Sequence, residues 1–103
     1  MEFKNNLVKI QGIRPELLFG LFVANDVYAK YGYDMVITSL DDSKHSNTSL
    51  HYSGSAADLR IANITNHDDR VLIVEEIKRR LKKDYDVILE KDHIHIEYQP
   101  KYN

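Results

Sequence analysis

Two short stretches of the chain gather the residue types that bind metals and move protons. The first reads Ser49-Leu50-His51-Tyr52-Ser53-Gly54-Ser55-Ala56-Ala57-Asp58, and the second Asp92-His93-Ile94-His95. The 103 residues include five histidines and no cysteine. Disulfides, thiolate metal sites and cysteine nucleophiles are therefore excluded, and a metal ion has to be held through imidazole and carboxylate. That donor set suits a catalytic zinc ion, which takes three protein ligands and leaves a fourth position open to water.

Ligands of one zinc ion lie about 2.0–2.2 Å from it, so their donor atoms must converge. On a continuous helix His51 and Asp58 would stand about 10.5 Å apart along the axis. Gly54 breaks such a helix and lets a loop carrying His51 turn back into a strand carrying Asp58. Alternation along that strand puts Ala56, Asp58 and Arg60 on one face and Ala57, Leu59 and Ile61 on the other. In the second stretch His93, His95 and Glu97 face one way, and Ile94, Ile96 and Tyr98 the other. Both strands combine an apolar face with a face rich in metal-capable groups. Each residue alone also has an ordinary reading, as half-exposed surface histidines or a salt-bridged or turn-capping aspartate. Spacing leaves the metal site and the solvated surface both open.

The elements that must position these residues can be read from periodicity. Residues 7–10 alternate and predict a short strand ended by Gly12. Arg14-Pro15-Glu16 opens a helix, with proline and an acidic residue in the first turn as the helix dipole favours. Leu17, Leu21, Ala24 and Tyr28 recur at helical spacing, widened by Leu18, Phe22 and Val27 into a broad buried stripe that stops at Gly32. Residues 35–38 predict a buried strand, 40–50 an exposed loop, and 56–61 a second strand. Asn66 caps a helix over 67–83 that buries Val71, Val74, Ile77 and Leu81. Residues 86–90 and 94–98 predict strands joined as a hairpin through Glu90-Lys91-Asp92. The order β-α-β-β-α-β-β implies an α+β fold, two helices packed on one face of a mainly antiparallel sheet.

Length allows one domain, spanning residues 1–103, with a thin core to which a bound metal would add stability. The formal net charge of −2 gives no electrostatic case for binding nucleic acid. The basic run Lys78-Arg79-Arg80 with Lys82-Lys83 reads as a solvated helix terminus, matched by Asp68 and Asp69 at the helix start. No stretch approaches the ~20 apolar residues of a membrane span. The first residues carry no apolar signal region, so synthesis in the cytoplasm is expected, with any action elsewhere depending on another route of release. A monomer is expected.

The pattern Ser49-x-His51-x-x-Gly54-x-Ala56-x-Asp58, followed by Asp92-His93-x-His95, resembles the signature of the zinc D-alanyl-D-alanine peptidases. That family includes D-Ala-D-Ala carboxypeptidases, dipeptidases and phage L-alanyl-D-glutamate endolysins, and shares its fold with the hedgehog signalling domain. The resemblance covers roughly residues 36–98, including Val36-Ile37-Thr38-Ser39. It implies a hedgehog/D-Ala-D-Ala peptidase-like fold, one zinc ion, and a small phage-type hydrolase acting on peptidoglycan stem peptides. By resemblance His51, Asp58 and His95 match the metal ligands, Asp92 the general base, and His93 a histidine that assists beside metal and substrate.

One departure stands out. Many relatives carry an arginine soon after the Thr-Ser that matches Thr38-Ser39, whereas this chain reads Ser39-Leu40-Asp41-Asp42-Ser43-Lys44-His45. Lys44 or Arg60 would have to substitute, with Ser49 as a further substrate-binding residue, and lysine lacks the bidentate fork of arginine. His45 reads as a substrate contact or an ordinary loop residue, and His67 as structural or solvated. The missing arginine keeps a second function open, a zinc-stabilised module that binds a cell-wall peptide or protein without turnover. A metal-free interaction domain is the third.

Overall fold

The computed structural model describes residues 1–5, 8, 12–41 and 54–101. Period-two alternation in the sequence becomes a five-stranded sheet, and period-3.6 stripes become two helices that close over its apolar face. The elements are β1 (Glu2–Phe3), α1 (Pro15–Lys30), β2 (Val36–Asp41), β3 (Ala56–Arg60), α2 (His67–Leu81), β4 (Tyr85–Leu89) and β5 (His93–Tyr98). Strand order is β1-β2-β3-β5-β4. β1 runs parallel to β2, and every other pair is antiparallel. The fold is α+β, two helices packed on a mixed, mostly antiparallel sheet.

Helix α1 starts with Pro15 in its first turn and buries Leu17, Leu21, Ala24, Val27 and Tyr28. Its stripe is narrower than expected, because Leu18 and Phe22 are exposed. They stand about 100° around the axis from Leu17 and Leu21, beyond the arc that the sheet and α2 cover. Gly20 lets the helix approach closely, since a Cβ there would lie 3.0 Å from the Tyr85 ring and 3.3 Å from Ile96. Tyr85 also donates its hydroxyl to Glu16 O at 2.7 Å. Gly32, at φ +86°, takes the left-handed backbone that ends the helix.

Asn66 caps α2, its side chain accepting from Asp68 N at 2.9 Å. The helix ends at Leu81 rather than residue 83, passing into a 3-10 turn at Lys82–Asp84. Its buried face differs by one position: Ile73, Val74, Ile77 and Leu81 face the core, while Val71 is exposed. Ile73, Ile77 and Leu81 form one i, i+4, i+8 column, and Val71 lies about 200° around the axis from Ile73. The basic terminus is also more than solvated. Arg80 pairs with Asp26 of α1 at 2.7 Å and with Glu76. Lys30 of α1 reaches Glu76 at 3.0 Å. These partners hold the Glu76 carboxyl below its usual range, the bond from Lys30 being the main cause.

Inward residues of the sheet, Ile37, Ala57, Leu59, Val87, Ile94 and Ile96, join the helices in one buried cluster. Of the loop expected at 40–50, Leu40 and Asp41 instead continue β2, and 42–50 lie outside the described residues. Of the strand expected at 7–10 only Val8 is described, its N–H donating to Asn5 O at 3.2 Å. The first strand found is β1. The β4–β5 hairpin is as expected, closed by Glu90 N donating to His93 O at 2.8 Å. Among the described residues no helix is long and apolar enough to cross a membrane.

Candidate metal centre

Register between β3 and β5 builds the site. Asp58 stands opposite His95, Arg60 opposite His93 and Ala56 opposite Glu97; between them Ala57 faces Ile96 and Leu59 faces Ile94. Directly opposed residues share a face of the sheet. Leu59, Ile94 and Ile96 are therefore sealed under the helices, and Asp58, His93 and His95 meet on the open side, half-buried. On the other flank β2 shifts register between Ile37 and Ser39, which brings Ser39 opposite Asp58. Such a bulge re-aims side chains next to a site. Thr38 Oγ1 donates to Asp58 O at 3.3 Å from the same irregularity.

Asp58 Oδ1 lies 3.0 Å from His95 Nδ1 and 3.5 Å from His93 Nε2. One donor atom from each of these three residues falls within 4.8 Å of the others. Donors around a tetrahedral zinc ion stand about 3.4 Å apart, so small side-chain adjustments suffice to hold an ion. One carboxylate and two imidazoles are also a donor set proper to a catalytic divalent metal. The residues fit a metal ion.

Each histidine is held from behind by another carboxylate. His95 Nε2 lies 3.0 Å from Glu97 Oε1, and His93 Nδ1 lies 2.7 Å from Asp92 Oδ1. The nitrogens left facing Asp58 are Nδ1 of His95 and Nε2 of His93. A carboxylate on the far nitrogen fixes the ring and its tautomer and raises its basicity. Glu97 is only 8% exposed, whereas the Asp92 side chain is 85% exposed.

The electrostatics follow from these contacts. His95 is pushed up to about 9, chiefly by its bond to Asp58 and further by Glu97, against the opposing effect of burial. At neutral pH without metal it carries both ring protons and donates to both carboxylates. Asp92 is held below its usual range, mainly by the bond from His93, so it is ionised at neutral pH.

Four of the sequence-predicted site residues, Asp58, Asp92, His93 and His95, are thus brought together. His93 comes closer than an assisting residue need, with a ring nitrogen among the donor atoms. His51, Ser49 and Lys44, and with them His45, lie outside the described residues. Arg60 lines an open depression of about 360 Å³ with Lys4, Thr38, Asp58, Ala62, Asp92 and His93. His67 opens α2, exposed, and is not among the clustered donors. Sequence reasoning missed two members. Glu97 carried a signal, sharing the face of His95 two residues on. Lys4 carried none, because only the parallel pairing of β1 with β2 brings it there.

No family model, curated protein or solved structure matches the chain. The site stands on its own geometry and on the motif that its residues form.

Proposed function

We propose that the chain is a zinc-dependent peptidase that hydrolyses peptidoglycan stem peptides, at bonds of the D-Ala-D-Ala or L-Ala-D-Glu type. The observation that carries this reading is the convergence of Asp58, His93 and His95 across β3 and β5, with Asp92 beside them and open to solvent. The likeness of the two motifs to those of the zinc D-alanyl-D-alanine peptidases supports zinc as the ion and peptide hydrolysis as the reaction. On that likeness the ligands are His51, Asp58 and His95, with His93 beside them and a fourth position left to water.

When bound, zinc lowers the pKa of a coordinated water toward about 7 and polarises the scissile carbonyl. The chain's own residues do the rest. Asp58 supplies the anionic ligand. Glu97, on Nε2, would hold His95 with Nδ1 on the Asp58 side as a donor. Asp92, kept ionised by His93, takes a proton from the attacking water and delivers it to the leaving amine. His93, with its Nδ1–H on Asp92, keeps that carboxylate in place.

Metal content of the purified chain, measured by mass spectrometry, tests the reading. Near one zinc per chain is expected, lost in Asp58→Ala and His95→Ala, with cleavage of a defined stem peptide. A folded chain that takes up no zinc on addition sinks it. The non-catalytic binding module keeps one specific support, the absence of an arginine after Ser39, and stands if zinc binds but no stem peptide is cut.

A further inference from the structure

We infer that Lys4 and Arg60 form a carboxylate-binding pole beside the metal cluster, which takes a free α-carboxylate on the residue that leaves. The inference rests on the peptidase reading and narrows its substrate.

Placement comes first. Arg60 follows Asp58 by two residues on the same face of β3, one strand repeat of about 6.6 Å along, and stands opposite His93. Lys4 comes from the other side, just past β1, its N–H donating to Ile37 O at 2.9 Å. Both line the depression that Asp58, Asp92 and His93 share.

Charge comes second. Lys30 and Arg80, the cations between the helices, sit against carboxylates. Among the described residues neither Lys4 nor Arg60 has an ion-pair partner, although two carboxylates line the same depression. Those two are already engaged, Asp58 by His95 and Asp92 by His93. A divalent ion at the cluster would leave the depression net positive, with Lys4 and Arg60 as its unspent cations.

Substrate chemistry comes third. The leaving residue of a D-Ala-D-Ala terminus bears a free α-carboxylate. So does a D-Glu linked onward through its side chain, which leaves when an L-Ala-D-Glu bond is cut. In both, the carboxylate carbon is three bonds from the scissile carbonyl carbon, about 3–4 Å away. An arginine side chain one strand step from the metal spans the remainder and offers a planar fork to the two oxygens. Lys4, which lines the same depression, adds a point charge. The shared ligand is a D-amino acid with a free α-carboxylate on the leaving side of the bond.

The test uses nuclear magnetic resonance titration of the zinc-loaded and metal-free chain with two pairs of probes. One pair is N-acetyl-D-Ala-D-Ala and its C-terminal amide. The other is N-acetyl-L-Ala-D-Glu, capped on its side-chain carboxyl, and the same compound with its α-carboxyl amidated. The expected result is that at least one acid binds about 10- to 100-fold tighter than its amide, as for loss of a charged hydrogen bond. The pair that shows the preference identifies the source. Arg60→Gln and Lys4→Gln should each erase most of the preference and raise KM more than they lower kcat, with zinc content and circular dichroism unchanged. Variants that keep the wild-type preference overturn the inference, as does a wild type that binds neither acid. A chain that binds no zinc and cuts nothing, yet prefers the acids through Lys4 and Arg60, overturns the peptidase reading and keeps the pole. A zinc-loaded chain that cleaves acid and amide alike does the reverse.

Discussion

Asp58 and His95 are cross-strand partners on β3 and β5, with Asp58 Oδ1 3.0 Å from His95 Nδ1. The contact that sets this nitrogen among the candidate metal donors also holds a proton on it, so a bound metal would have to compete with that proton.

That competition has a sign. His95 is raised from 6.5 to about 9, so in metal-free protein its contribution to stability is fully present below about pH 6.5 and is lost as pH rises through about 9. After allowance for solvent screening the contribution is on the order of 1–2 kcal/mol. Urea melts of chelator-treated chain should show stability falling between these limits, with the slope absent in His95→Gln. Zinc affinity should rise over the same interval, because the Nδ1 proton must leave. A metal-free chain equally stable at pH 6.5 and 9.5 contradicts this.

Glu97 places its carboxylate 3.0 Å from His95 Nε2. Glu97→Gln keeps the shape and removes the charge that orients the ring. Zinc affinity should fall about 10- to 100-fold with the fold intact by circular dichroism. Competition against a chromophoric chelator measures this, and wild-type affinity in the variant would remove Glu97 from the site.

Asp92 lies on the exposed rim and accepts from His93 Nδ1 at 2.7 Å. Asp92→Asn is expected to retain one zinc per chain and lose about 10²- to 10⁴-fold in kcat on a stem peptide, as for loss of a positioned base. Normal turnover in that variant means that another group carries the proton.

Gly54 adopts φ +72°, and a Cβ there would come 2.2 Å from Gly12 O and 2.8 Å from Ile13 Cα. Its carbonyl also accepts from Arg14 N at 3.0 Å. Both close atoms are backbone and cannot swing aside. Gly54→Ala should cost at least ~3 kcal/mol or prevent folding. Gly12→Ala, at φ +85° with open space around it, should cost about 1–2 kcal/mol for the left-handed backbone alone. Equal losses in urea unfolding would mean that the close approach at Gly54 is not what matters.

The faces of β3 and β5 were legible in the sequence because strand alternation has an integral period: once Leu59 and Ile94 point inward, Asp58 and His95 must point out. The pairing itself was not legible. Nothing local says that Asp58 meets His95 rather than His93; the β3–β5 register decides it. The same limit hid Lys4, which a distant parallel strand delivers, and the register shift at Thr38 that sets Ser39 beside Asp58. Helix periodicity is softer. With 3.6 residues per turn, Val71 and Ile73 both fit an apolar stripe, and only the angle at which α2 meets the sheet selects Ile73. The Asn66 cap was readable because it depends on its own next two residues.

On β3 and β5 Ala57, Leu59, Ile94 and Ile96 belong to the buried cluster, and Asp58, His93 and His95, which alternate with them, carry the candidate metal donors. Folding information and chemical information are thus interleaved along the same strands without sharing positions. Selection can rewrite one register of letters while leaving the other untouched. Exchanging Asp58 for histidine, or Arg60 for a neutral residue, would change the ion preferred or the substrate admitted while Ala57, Leu59, Ile94 and Ile96 continue to specify the sheet. A scaffold of this kind diversifies easily, because a new donor set is a new text on an unchanged page.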